Sequence, residues 1–413
     1  MPRHHRITYL VSIAVLCFTL IPLQSSVGDT LTMDGAVSLG LERHPGIQSA
    51  LGELDMARGD LLRIVSPESP VVTIENEHVP RRSSISHYGE QTMGIGQSLE
   101  FPVVTVFRAR SAVRAVQSAK ANVELAEATF RGEIRMAFVL AWLFDREAAI
   151  TDSLAGTAGL LARNAVKKET AGIITSLERD RLAVQAQQSA REHDSARLRH
   201  RAAVARLEQL IGTRLEPGTV LARPELGKRS DPEYAGVEGK ASLVRRAALS
   251  AESAESWLVA EKLAWLPRIE VKVFRQLTPD ESFWGGELGF TLPVWYLLGE
   301  RGDIQKARGQ AERASADRES ARREWKTRWT EASLSLGVAL KTVSDFEEMT
   351  LPVSRRTLQA AIRSYEVGEI GITDLLSSFI QERTVELEYL KVVENAWHWR
   401  TQLDILMAGF QGR

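Results

Sequence analysis

The chain has 413 residues, 52 of them basic and 53 acidic, for a formal net charge of −1. That length holds two ordinary domains or one large repeat architecture. The near balance of charge supplies no basic field for nucleic acid, and no nucleic-acid partner is expected.

Residues 1–28 read as a secretory signal. Arg3 and Arg6 precede the mostly apolar stretch from Ile7 to Leu23, and Ser26-Val27-Gly28 supplies small residues for cleavage. The apolar stretch is short and broken by Pro22, which favours cleavage over anchoring. The one cysteine, Cys17, lies inside this signal after Leu16, where a lipoprotein signal needs a small residue. It is expected to be removed, leaving an exported chain without disulfides. No later apolar run is long enough to span a bilayer as a helix. A membrane-embedded chain would then have to span as a β-barrel.

Met33 to Ser66 reads as two helices, capped by Thr32 and interrupted at His44-Pro45. From Pro70 the period changes to two. Val72 and Ile74 share one face, and Thr73, Glu75 and Glu77 the other. After a polar loop, Pro80 to Glu90, the residues Met93, Ile95 and Leu99 mark a second strand. Val103 to Ile150 reads as one long helix with a lone Gly132. Its small residues Ala109, Ala112, Ala115 and Ala119 permit close helix approach. Gly156 and Gly159 are expected to weaken the helix before it resumes toward Gly172. A return helix runs from about Ser176 to Ile211 and stops at Gly212. Pro217 to Gly239 reads as a linker.

The pattern then restarts. Ala241 to Leu266 is helical up to Pro267. Ile269, Val271 and Val273 alternate with charged residues, a loop runs from Gln276 to Phe283, and Leu288, Phe290 and Leu292 alternate up to Pro293. A long helix from Asp303 to Met349 weakens near Pro352 and resumes toward Gly368. The last helix runs to Met407, with Leu376, Ile380, Leu387, Leu390 and Trp397 as a coiled-coil seam.

Two glycines in four residues, Gly368 and Gly371, must break the helix, because each costs about 1 kcal/mol relative to Ala in a helix interior. Thr373 or Asp374 can then start the next helix. Gly172 lies 196 positions earlier in a similar setting. Pro70 and Pro267 are 197 apart, Pro102 and Pro293 191, and Gly156 and Pro352 196. Breakers recurring at one period indicate internal duplication. The expected organisation is a signal at 1–28, a first repeat at 29–216, a linker at 217–239 and a second repeat at 240–413. Each repeat carries a β-hairpin (about 71–99 and 268–292) and a long helical hairpin with its tip at 172 or 368.

Four strands from one chain cannot close a conducting barrel alone, but an oligomer can, with apolar faces to lipid and polar faces to water. Trp284, at a strand end, suits a membrane interface. With these features in place, the chain resembles the TolC-like outer-membrane efflux family, particularly its CzcC-like heavy-metal branch. The resemblance rests on Ala36-Val37 through His44-Pro45, on the strands opening at Pro70 and Pro267, and on the two tips. It implies a mixed, mostly α protomer, assembled as a homotrimer into a 12-stranded outer-membrane barrel continued by a periplasmic helical tunnel. It also implies a periplasmic adaptor (membrane fusion protein) and an inner-membrane pump of the RND type as partners. The first tip fits the family's Gly-x-x-Thr pattern with Gly172 and Thr175. The second has Gly371 where Thr is expected. His44-Pro45 replaces the usual Asn-Pro.

No catalytic constellation, phosphate loop or cofactor motif stands out, so neither an enzyme nor a cofactor is expected. His193 and His200 share a helix face, most economically a solvated one. Asp374 and Glu178 each lie six residues past a tip glycine. By the resemblance Asp374 matches an acidic constriction residue. A ring of such carboxylates in a trimer would attract cations and raise its own pKa. The alternatives are a helix cap for Asp374 and a surface carboxylate for Glu178. Gly172, Ile173, Thr175, Gly368 and Ile370 are candidate adaptor contacts, though a turn by itself also calls for glycine. The functional expectation is a passive exit duct of a tripartite exporter, with heavy-metal cations as the cargo the resemblance favours. A periplasmic adaptor and a soluble coiled-coil scaffold are the competing readings.

Overall fold

A computed structural model describes residues 30–42, 44–79, 89–216, 218–226, 234–278, 280–291 and 301–410. The expected signal at 1–28, most of the loop from Pro80 to Glu90, and the strand end at Leu292-Pro293 lie outside the described residues.

A two-residue strand, β1 (Thr30–Leu31), leads into α1 (Met33–Leu41) and α2 (Pro45–Val65). Thr32 Oγ1 accepts the Gly35 amide at 3.2 Å, the expected cap. His44 caps α2 through Nδ1, which accepts the Gly46 amide at 3.2 Å. β2 (Val71–Glu77) and β3 (Glu90–Leu99) form an antiparallel hairpin, followed by α3 (Pro102–Thr170) and α4 (Ser176–Ile211). β4 (Val220–Leu221) pairs in parallel with β1. After α5 (Tyr234–Val237) come α6 (Ser242–Lys262), β5 (Arg268–Leu277) and β6 (Ser282–Thr291). α7 (Arg301–Asp345) passes through a π-helical turn (Phe346–Thr350) into α8 (Leu351–Val367), and α9 (Ile372–Leu406) returns.

Several elements depart from the sequence reading. α3 is continuous for 69 residues, about 100 Å at 1.5 Å per residue. Gly156 and Gly159 do not interrupt it, because Leu154, Ala158 and Leu161 are buried on the same stretch and hold it by packing. The stretch read as a bare linker carries β4 and α5. Val237 is fully buried against Trp325 and Trp329, so apolar burial fastens this segment to the helices. The second hairpin loop is shorter than expected, since the β5–β6 ladder continues to Leu277 opposite Ser282. At Pro352, which lacks an amide hydrogen, the chain yields as expected. The yielding takes the form of the π-helical turn, in which the Leu351 amide donates to the Phe346 carbonyl.

The helices pack side by side. α3 contacts α4, α6, α2, α9 and α1, and α9 contacts α7 and α8. Three cores follow the long axis. Leu31, Val37, Ile134, Phe138 and Leu207 join α1, α3 and α4. Val139, Trp142, Val343, Leu390 and Trp397 join α3, α7 and α9. Trp325 and Trp329 stack at 5.2 Å beside Leu403 and Leu406. The lone Gly132 marks the crossing of α3 and α9. A Cβ there would meet Thr401 Cγ2 and Ile405 Cδ1 at 2.9 Å.

The four long strands form one antiparallel sheet in the order β2-β3-β5-β6, leaving β2 and β6 at its edges. Its period-two pattern sorts the faces. Val72, Ile95 and Val273 lie in one cross-strand row, and Leu99, Ile269 and Phe290 in another on the same side. The other side carries Thr73, Glu75, Glu270 and Lys272, with Lys272 Nζ 3.9 Å from Glu75 Oε1. On the apolar side Val72, Ile74, Ile95, Leu288 and Phe290 are exposed. No helix among the described residues is long and apolar enough to cross a membrane.

Candidate functional site

The two tips are built by the same hydrogen bonds. The Gly172 amide donates to Glu169 O at 2.8 Å and the Ile173 amide to Lys168 O at 2.9 Å. The Gly368 amide donates to Tyr365 O at 3.2 Å and the Glu369 amide to Ser364 O at 2.8 Å. This is a Schellman stop, and it needs a left-handed residue at the glycine position. Gly172 has φ +72° and Gly368 φ +83°.

Beyond the stops the tips diverge. Thr175 caps α4 in a full capping box. Its Oγ1 accepts the Glu178 amide at 3.3 Å, and Glu178 Oε2 accepts the Thr175 amide at 2.8 Å. That backbone hydrogen bond, followed by the Thr175 hydroxyl, holds the Glu178 carboxyl below the usual range. At the second tip the N-cap is Gly371, which has no side chain to offer, and α9 begins at Ile372. Neither Thr373 nor Asp374 is the cap, because the cap falls two residues before Thr373 and three before Asp374. Asp374 is the third helical residue and is exposed.

A shared apolar cluster joins the tips. Leu161, Ala165 and Leu182 of the first hairpin pack with Ala361, Tyr365, Ile372 and Leu375 of the second. Ile370 is half-buried against this cluster, not free as expected, because its neighbour Ile372 pulls the turn inward. Ile173 and Thr175 remain exposed. Lys168 Nζ lies 4.5 Å from the centroid of the Tyr365 ring, a cation–π contact across the two hairpins. Burial, and secondarily the nearby Glu178 charge, pushes the Tyr365 phenol up. Sequence reasoning assigned no role to Tyr365 or Lys168. The signal was an aromatic residue three before the tip glycine.

Above the tips, α9 presents its buried face as Leu375, Phe379, Glu382, Glu386, Leu390, Val393 and Trp397. The expected seam holds at Leu390 and Trp397 and departs before them. Ile380 is exposed, and Leu376 and Leu387 are half-buried. Two core positions are carboxylates. Glu386 Oε1 accepts Arg355 Nε from α8 at 2.5 Å, which holds the guanidinium in its charged form. Burial, and then the Glu386 charge, pushes the Glu382 carboxyl up, and its Oε2 is buried without a hydrogen-bond partner. Next to it Arg383 Nη1 donates to both carboxylate oxygens of Glu192 on α4 at 2.6 and 2.7 Å. At the π-helical turn Glu347 Oε1 accepts Tyr389 Oη at 2.6 Å and Arg223 Nη2 at 3.1 Å. Burial and this hydrogen bond push the Tyr389 phenol up to about 12. The broken register of the 301–367 helix is thus tied to α9 on both sides of the break.

At the far end, Trp284 is 75% exposed and stands across from Arg275 on the apolar side of the sheet. An exposed tryptophan beside arginine suits a boundary between apolar and aqueous surroundings.

No family model matches the chain, and no curated protein matches it. Solved structures do. The structure of CusC, studied for its folding and transmembrane channel formation, is similar at TM-score 0.79 and 10% identity, over 91% of this chain and 92% of that one. The outer membrane protein VceC from Vibrio cholerae is similar at TM-score 0.76 and 14% identity, over 92% and 97%. The open state of the Neisseria gonorrhoeae MtrE outer membrane channel is similar at TM-score 0.77 and 16% identity, over 91% and 89%. The chain therefore has the fold of the TolC-like outer-membrane channels: a mostly helical protomer with one small four-stranded sheet.

Proposed function

We propose that this protein is the outer-membrane exit duct of a tripartite efflux system. The observation that carries the reading is the four-stranded sheet. Its apolar face (Val72, Ile95, Val273, Leu288) is exposed, and among the described residues the edge strands β2 and β6 each have one side with no strand against it. Exposed apolar faces and open edges are strong liabilities in water. Both are relieved when three protomers close β6 against β2 of the next and the apolar side meets lipid. Twelve strands then enclose the polar side, with Glu75, Glu270 and Lys272 toward water. The strands are 7 to 10 residues long, close to the 9–11 of a tilted membrane strand.

In this reading the long helices hang into the periplasm as a tunnel, and the Gly172 and Gly368 tips form its mouth. Duplication explains why residues 29–216 and 240–413 share one order of elements, with 217–239 joining them and 1–28 acting as an export signal. The chain conducts passively, while an RND-type inner-membrane pump and a periplasmic adaptor supply energy and contact. Ile173, Thr175 and the two tip glycines are the adaptor-facing set, with Ile370 supporting them from below. Asp374 is the gate carboxylate. Heavy-metal cations are the proposed cargo, on the strength of the CzcC-like resemblance. Membrane fractionation with trimer migration on a gel before and after heating tests the assembly. A heat-sensitive trimer in the outer membrane is expected. A monomer in the soluble periplasmic fraction would reject the channel and favour a scaffold.

A further inference from the structure

The last rung of the β2–β3 ladder pairs Glu77 with Glu90, on the side of the sheet that carries Thr73 and Glu75. Successive strand residues face opposite ways, so His78 would ordinarily point away from Glu77. Here it does not. His78 has φ +57°, and this left-handed turn brings its imidazole back beside Glu77 and Glu90. Gly89 makes room for it. A Cβ on Gly89 would lie 3.0 Å from His78 Cβ, while the Gly89 amide donates to Glu77 O at 3.1 Å and closes the turn. One donor atom from each of Glu77, His78 and Glu90 then lies within 4.8 Å of the other two.

We infer that Glu77, His78 and Glu90 form a divalent-cation site at the loop end of the sheet, selective for borderline ions such as Zn²⁺. Ligands bound at about 2.1 Å to one tetrahedral ion lie roughly 3.5 Å apart, so side-chain movements on the order of 1 Å complete the set. Three protein donors leave a coordination position for water. The imidazole sets the preference. Mg²⁺ and Ca²⁺ take oxygen ligands, whereas Zn²⁺, Co²⁺, Ni²⁺ and Cu²⁺ accept nitrogen with oxygen. Two carboxylates neutralise the charge of the ion. His193 and His200, by contrast, each face one aspartate, Asp152 at 3.6 Å and Asp145 at 3.9 Å, which is a weaker donor set.

The test is calorimetric titration of the full-length protein in detergent with Zn²⁺, and separately with Mg²⁺. Wild type should bind one Zn²⁺ per chain and show no competition from Mg²⁺. His78→Ala and Glu90→Gln should each weaken zinc binding about tenfold or more, a change of about 1.4 kcal/mol per decade. His193→Ala should leave it unchanged. Equal zinc affinity in wild type and His78→Ala would overturn the site, as would a wild type that binds no zinc or is displaced by Mg²⁺. All three side chains border solvent, so these variants leave the core intact. Because binding is read on the solubilised chain, the result stands whether or not the chain conducts.

Discussion

Asp374 and Glu178 occupy the same place in their helices, the third residue after the N-cap, yet only Glu178 has a capping hydroxyl to hold it. Thr175 stands at one cap and Gly371 at the other, 196 positions on. The two matching positions therefore differ in their contacts. One carboxylate closes a box on its own backbone, and the other is exposed at the tip.

That difference makes the two carboxylates separable by experiment. Asp374→Asn should raise single-channel conductance in a planar bilayer and remove block by polyvalent cations. Glu178→Gln should leave cation block unchanged. It should lower the stability of the α4 start slightly, read as an earlier thermal transition. Unchanged conductance and block in Asp374→Asn would reject its gate role.

Gly371→Thr tests the same point without altering charge. A threonine there supplies the hydroxyl that Thr175 supplies to Glu178 and draws Asp374 toward its own helix end. Cation block should weaken while trimer stability stays within a few tenths of a kcal/mol, since Gly and Thr are similar N-caps.

Gly172→Ala and Gly368→Ala should each destabilise by about 1–2 kcal/mol. Both positions have positive φ, and nothing lies within 4 Å of an added Cβ, so the cost is backbone strain alone. Thermal unfolding of each variant checks this. Gly156→Ala, in a helical position with equally open space, should instead stabilise by a few tenths to about 1 kcal/mol.

Glu382 gives the protein a pH dependence of known sign. Its carboxyl is pushed up by burial, so the folded chain binds its proton more tightly than the unfolded chain. That contribution favours folding at low pH and is lost as pH rises from the ordinary carboxylate range through the raised value. Glu382→Gln should therefore stabilise the protein near neutral pH, read as a higher thermal midpoint. The gain should vanish when melting is repeated in acid, below the ordinary carboxylate pKa of about 4. Glu386→Gln should destabilise the protein at neutral pH, because it leaves Arg355 without its ion-pair partner.

Much of this protein is written locally. Thr32, Pro45, Gly172, Gly212 and Gly368 mark helix ends through their own backbone chemistry, and each marks one in the fold. The alternation of Val72 and Ile74 with Thr73 and Glu75 sorts the two faces of β2 before any partner strand is known. The seam of α9 is legible in the sequence only at Leu390 and Trp397, for a physical reason. Glu382 and Glu386 look like solvent-facing residues, and only Arg355, reaching across from α8, makes a carboxylate tolerable in that interface. The fate of Ile370, half-buried by the neighbouring hairpin, is equally invisible from its own surroundings.

Local chemistry sets several helix ends, the apolar faces of the strands and the recurrence of one pattern 196 positions apart. These are properties of backbone conformation and side-chain periodicity over a few neighbours. Packing between distant elements sets which carboxylates are buried, that the two tips share one apolar cluster through Tyr365, and that His78 turns back onto Glu77 and Glu90. Those outcomes depend on desolvation and on contacts between residues far apart in the chain, and no local pattern encodes them.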